Sequence, residues 1–174
     1  MGDYPSEQEL AANSNAKGPL VKNNFLERGG LWVVGQFLLI ILALLAGIFW
    51  TAEWGKGAFR ALGWFFIVAG AFCGVSGVLA LGRNLTPFPE PSAKAELVTR
   101  GIYDWIRHPL YTAVGCEGTG WGLVRGSLPA LLFAGLLLVL LVRKTRREEA
   151  HLAKVFPEYQ DYARRVKGFI PWLY

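Results

Sequence analysis

Charge is what this sequence has least of. Of its 174 residues only 18% are Asp, Glu, Lys or Arg, against roughly 25% in ordinary soluble domains. That is too little polar surface to coat a water-facing globule, and with 53% hydrophobic residues it excludes disorder for most of the chain. Cysteine is also scarce: Cys73 and Cys116 make no disulfide framework, and each sits in an apolar run as a small hydrophobe. No Cys/His spacing suits a metal. There is no Gly-x-Gly-x-x-Gly after a strand, so a dinucleotide-binding βαβ unit is absent, and Gly115–Gly122 reads as helix packing. No short apolar core follows a basic start, so the N-terminus does not read as a secretory signal.

What is present is apolar and basic. The formal charge is +5 and the mean hydropathy +0.32, a balance that belongs to a membrane protein with basic loops and requires no nucleic-acid partner. Length allows one domain. Residues 1–30 are a polar tail rich in Asn, Gly and Pro. Such a tail becomes ordered only when something holds it, and a membrane-protein partner is one reading. Leu31–Trp50 runs 20 residues without a charge and Ala61–Gly82 runs 22; at ~1.5 Å per residue each crosses a bilayer core. Gly70, Gly74 and Gly77 offer small positions for a neighbouring helix. The polar insert 83–108 carries Pro87, Pro89 and Pro91, which forbid a regular helix there. Leu110–Val124 and Gly126–Val142 are shorter apolar stretches joined by Arg125-Gly126-Ser127, with Ser127 as N-cap and Pro129 in the first turn.

The expected fold is therefore all-α: an integral membrane bundle of about four transmembrane helices near 31–50, 61–82, 109–124 and 127–147, the last two forming a hairpin. Polar segments 83–108 and 148–174 cap one end. A helix continues past the basic collar Arg143, Lys144, Arg146 and Arg147 until Pro157 stops it. A short amphipathic helix around Tyr159 and Tyr162 follows, then an aromatic end, Ile170-Pro171-Trp172-Leu173-Tyr174. Fifteen of the 18 Lys and Arg residues fall on the side that carries both termini and the insert. The positive-inside rule makes that side cytoplasmic.

The polar chemistry clusters on that face in two places, Leu97–Tyr111 and Arg146–Glu149. A hairpin returns its ends to one side, so Arg107 and His108 at the entry of the third helix should meet Glu148 and Glu149 at the exit of the fourth. The bland alternatives are a basic collar for Arg107, a plain helix cap for His108 and solvated charges for the two carboxylates.

Arg107-His108-Pro109-x-Tyr111, preceded by Leu97-Val98-x-x-Gly101-x-Tyr103, resembles the isoprenylcysteine carboxyl methyltransferase family. So do Glu148-Glu149-x-x-Leu152-x-x-x-Phe156-x-x-Tyr159-x-x-Tyr162 with Ile170-Pro171, and Leu81-Gly82-Arg83-Asn84-Leu85-Thr86-Pro87. The resemblance covers roughly residues 61–174, and the wider group includes phospholipid and thiol methyltransferases. It implies S-adenosylmethionine as cofactor and methylation of a lipophilic small-molecule or lipidated acceptor drawn from the membrane lipid phase. The implied catalytic residues are Arg107, His108 and Glu149. Arg107 can pair with the cofactor carboxylate by a two-pronged hydrogen bond, and His108 can donate to it or orient it. Glu148 or Glu149 can accept from ribose hydroxyls or an amine. Tyr103, Tyr111 and the Leu97–Val98 backbone can pack beside the adenine, Pro109 belongs to the implied cofactor site, and Gly101 permits close backbone approach.

The chain departs from the family pattern at Ala113 and Pro157, where Gly is usual, and at Glu117. Glu117 falls about nine residues, roughly 13 Å, into the third helix. An intramembrane carboxylate is a functional candidate by default: it faces a substrate path, or it is neutral or paired with Arg125 or a partner. Two other functions stay open. One is a sterol-reductase-like enzyme using NADPH, which shares Arg-His-Pro-x-Tyr; the other is a non-catalytic membrane subunit of a larger complex.

Overall fold

A computed structural model describes Phe25 and residues 29–54, 56–86 and 96–169. The polar tail, the three prolines of the insert and the aromatic C-terminus lie outside the described residues. Among the described residues five α-helices are seen: α1 Gly30–Phe49, α2 Ala58–Leu81, α3 Pro109–Arg125, α4 Leu128–Val155 and α5 Tyr159–Arg165. No strand is present among the described residues. Three helices are long and apolar enough to cross a membrane: α1, α2 with the 3-10 turn Gly82–Asn84 that extends it, and α4. With 17 residues, α3 is about 26 Å long and forms the short arm of the hairpin anticipated from the sequence. Apolar runs and capping residues set the boundaries. Ser127 caps α4 by accepting from the Ala130 N–H at 3.3 Å, and Pro109 opens α3 where a missing N–H costs nothing. Between these arms Gly126 turns the chain at φ 62°.

The hairpin α3–α4 is the centre of the bundle. Along α3 lies α2, along α4 lies α1. The tip of the hairpin is fastened to the last turn of α1. Ser127 Oγ donates to the Ala46 carbonyl at 3.1 Å, Arg125 Nε to Gly47 at 2.8 Å and Trp121 Nε1 to Leu44 at 3.3 Å. Small residues face inward and large ones outward: Ala43, Ala46, Ala130 and Ala134 are buried, whereas Phe37, Ile41, Phe65, Phe72 and Leu79 are exposed. That inversion of the soluble pattern suits a surface solvated by acyl chains.

The α2–α3 contact is a close backbone approach. A Cβ at Gly63 would stand 2.8 Å from the Gly120 carbonyl oxygen, and a Cβ at Gly120 would stand 2.6 Å from that of Gly63. Gly70, singled out in the sequence, faces Ala113 in the same way, at 3.0 Å from its carbonyl oxygen. Backbone cannot yield as a flexible side chain does, so Gly63→Ala is expected to cost about 1–3 kcal/mol and to lower the melting temperature in detergent. At Gly135 nothing lies within 4 Å of the added methyl, and Gly135→Ala is expected to hold or raise the melting temperature through helix propensity.

Candidate active site

The polar segment before α3 is pinned from two sides. Gly101 opens a 3-10 turn, Gly101–Asp104, at φ 67°, a conformation that side chains disfavour. The turn delivers Tyr103 into the interior, where its carbonyl accepts the Tyr162 hydroxyl at 2.7 Å. Ile106 forms a single parallel bridge with Lys167. The backbone N–H groups of Arg107 and His108 donate to the carbonyls of Lys167 and Gly168, at 2.8 and 3.0 Å. The chain after α5 thus fixes the two residues that begin the site. Tyr162→Phe leaves a buried carbonyl without its donor and is expected to cost about 1–2 kcal/mol, read as a lower unfolding temperature.

The hairpin then brings its ends together. His108 precedes α3 and is buried. Its ring makes no helix cap; Nε2 lies 2.9 Å from Glu149 Oε1 on α4. A carboxylate only accepts, so Nε2 carries the proton. Arg107 reaches the same oxygen through Nη2 at 3.1 Å and donates Nη1 to the Ala163 carbonyl at 3.2 Å. One residue earlier on α4, Glu148 accepts the Tyr111 hydroxyl at 2.8 Å. Consecutive helical residues point about 100° apart, so the two carboxylates divide their partners. The Tyr111 ring stacks on His108 with planes 7° apart. Lys144, one turn before Glu148 and buried, sits 5.1 Å above the Tyr111 ring and donates to Gln36 of α1 at 2.8 Å.

Arg107, His108, Tyr111 and Glu148 wall an open-mouthed cavity of about 120 Å³. Of the residues singled out in the sequence, Leu97, Val98, Tyr103, Arg107, His108, Tyr111 and Glu148 line it. Gly101 shapes the turn beneath, and Pro109 is buried as the first residue of α3. Glu149 stands behind His108 and Arg107, off the cavity wall. Glu117 is elsewhere: it is exposed on α3, with Cγ packed over Gly70 and no ion pair among the described residues. Arg125 is committed to the Gly47 carbonyl and the Trp121 ring.

Several lining residues carried no site assignment in the sequence reading. Asn84, Thr86 and Glu96 come from the insert, and Leu152, Phe156, Tyr159 and Tyr162 from the end of the chain. The spacing 148, 152, 156 is one helical face and was the available signal for part of this set; Glu96 had none. Two buried polar atoms on cavity residues make no hydrogen bond, Arg107 Nε and the Tyr159 hydroxyl. The Tyr159 hydroxyl faces the Glu149 carboxylate and, with His108 and Arg107, favours its charged form. Burial raises the pKa of Tyr103, Tyr159 and Tyr162 well above the ordinary phenol value. Glu148 adds to the rise at Tyr103 and Glu149 at Tyr159, while Tyr103 adds to it at Tyr162. All three therefore stay neutral at physiological pH. The arrangement can hold a polar, partly flat molecule between a carboxylate, a guanidinium and phenols, against an apolar strip.

Residues 58–159 match the family model described as phospholipid methyltransferase. The chain is 31% identical over 162 residues to the nickel-cobalt-cadmium resistance protein NccN of Alcaligenes xylosoxydans xylosoxydans, covering 91% of this chain and 71% of that one. It is 29% identical over 110 residues to the protein-S-isoprenylcysteine O-methyltransferase of Schizosaccharomyces pombe, covering 61% and 47%. It is 27% identical over 179 residues to the protein of the same description from Mus musculus, covering 97% and 61%.

Proposed function

The chain belongs to the phospholipid methyltransferase family, a family of membrane methyltransferases, and from that premise we propose that it transfers a methyl group from S-adenosylmethionine to a lipophilic acceptor at the cytoplasmic membrane face. The observation that carries the reading is the cavity in which Arg107, His108, Tyr111 and Glu148 meet across the hairpin. Arg107 Nε, buried in its wall, makes no hydrogen bond, although buried polar groups are almost always paired. The donor set also fits: a guanidinium for a carboxylate, a carboxylate for hydroxyls or an amine, and aromatic and aliphatic side chains for a flat base.

When bound, S-adenosylmethionine supplies an electrophilic methyl group on a sulfonium. The chain's own residues then bind, align and exclude water. Arg107 holds the cofactor carboxylate, Glu148 accepts from ribose hydroxyls or an amine, and Leu97, Val98 and Tyr103 form the surface for the base. Glu149 acts through its neighbours: it fixes the Nε2 proton of His108 and the orientation of Arg107. The neutral phenol of Tyr159 donates into the site. Alignment of the reacting groups supplies ~7–11 kcal/mol of the barrier reduction in such reactions. A carboxylate acceptor needs no general base, whereas an amine or a thiol has to lose a proton. Two relatives bear the description of isoprenylcysteine O-methyltransferases, which supports a lipophilic acceptor. Their family favours methyl transfer over the sterol-reductase alternative. The basic collar at the cavity end of α4 supports a cytoplasmic site.

The test is transfer of a labelled methyl group from S-adenosylmethionine into lipid extract or isoprenylcysteine by the purified protein. Label in an organic-soluble product, blocked by S-adenosylhomocysteine and untouched by NADPH, is expected. No transfer, together with purification in stoichiometric amounts within a larger complex, favours the subunit reading.

A further inference from the structure

A second cavity backs onto the first. It holds about 290 Å³ and shares one wall with the first, the Arg107 side chain. Glu149 lines only the second. The other charged groups that line it are Arg146 of α4 and Lys167 of the segment after α5. Three cations thus face one carboxylate, and that carboxylate is already engaged by His108 and Arg107. The side chains of Arg146 and Lys167 are exposed and make no ion pair among the described residues. Thr145 adds no donor, because its hydroxyl is given to the Leu141 carbonyl at 2.9 Å.

The cavity also has a definite depth. Val142 is the last residue of the uncharged run of α4 and Arg143 the first of the basic collar. Val142 lines the cavity together with Phe169, so it straddles the boundary between acyl chains and headgroups. A surplus of two positive charges over an apolar floor at that level matches a phosphodiester carrying acyl chains. Basic pockets at helix ends hold anionic lipid headgroups in this way, and guanidinium groups suit phosphate oxygens.

We infer that this second cavity binds the phosphate of an anionic membrane lipid, held between Arg146 and Lys167 at the back of the Arg107–Glu149 pair. The site is separate from the cofactor cavity, so the lipid held there is bound and not methylated. The inference does not depend on methyl transfer, and binding alone reads it out.

The experiment is a calorimetric titration of the purified full chain in detergent with dihexanoyl phosphatidylglycerol. Dihexanoyl phosphatidylcholine and inorganic phosphate at matched ionic strength serve as the other arms. Phosphatidylglycerol is expected to bind at one site at least tenfold more tightly than phosphatidylcholine or phosphate. Arg146→Ala with Lys167→Ala is expected to weaken it at least tenfold while the melting temperature without lipid is unchanged. The charge-conserving pair Arg146→Lys with Lys167→Arg is expected to keep most of the affinity. Equal binding of inorganic phosphate would overturn the lipid assignment. Wild-type affinity in the alanine double variant would overturn the site.

Discussion

Glu148→Ala is expected to weaken S-adenosylmethionine binding by about 10–100-fold. Two losses combine. The variant removes the carboxylate that stands beside His108 and Tyr111 in the cavity wall, and hydrogen bonds to a charged acceptor are worth about 1.5–3 kcal/mol. It also strips the acceptor from the Tyr111 hydroxyl, which now donates to it at 2.8 Å. Tyr111 is stacked on His108 and lies under Lys144, so a ring that shifts disturbs the imidazole as well. Glu148→Gln retains an acceptor for Tyr111 and loses the charge, and an intermediate loss is expected. Titration calorimetry on both variants checks this. Unchanged affinity in Glu148→Ala would remove the residue from the site.

Arg107→Ala is expected to abolish binding and also to destabilise the protein by about 2–3 kcal/mol, because removing one partner of a partly buried ion pair strands the other. Side chains of Arg107 and Glu149 are only 17% and 25% exposed. Loss of the guanidinium also frees the Ala163 carbonyl, which ties α5 to the site. Lysine is not a substitute: a single ammonium does not reach Glu149 and Ala163 in the forked geometry of a guanidinium, so Arg107→Lys is expected to recover stability in part and binding hardly at all. Thermal unfolding and calorimetry on the two variants separate these effects. Wild-type stability in Arg107→Ala would mean that Glu149 is satisfied by His108 alone.

Much of this architecture was legible in the sequence because the signals were local. Uncharged runs delimited α1 and α2 to within a few residues. Ser127 and Pro129 marked the start of α4, and the hairpin rule alone brought His108 to Glu149. The contacts that escaped were those made by residues with no local reason to meet. The Ile106–Lys167 bridge, which sets the Arg107 and His108 backbones, joins positions that share no periodicity. Lys144 read as one more member of a basic collar, yet it is buried and spent on Gln36 and the Tyr111 ring; a single lysine gives no sign of the pocket that will hold it. Glu148 and Glu149 are interchangeable as letters, and only the helix phase decides which lines the cavity and which stands behind His108. Glu117, the candidate for a substrate path, packs its Cγ over Gly70 of α2 and does not line the cavity.

The central claim is that the cavity between Arg107–Tyr111 and Glu148 holds S-adenosylmethionine. Its most direct test is calorimetric titration of the cofactor into the full chain in lipid nanodiscs. One site per chain is expected, lost on addition of S-adenosylhomocysteine and indifferent to NADPH. No heat of binding at millimolar cofactor from folded protein would contradict the claim.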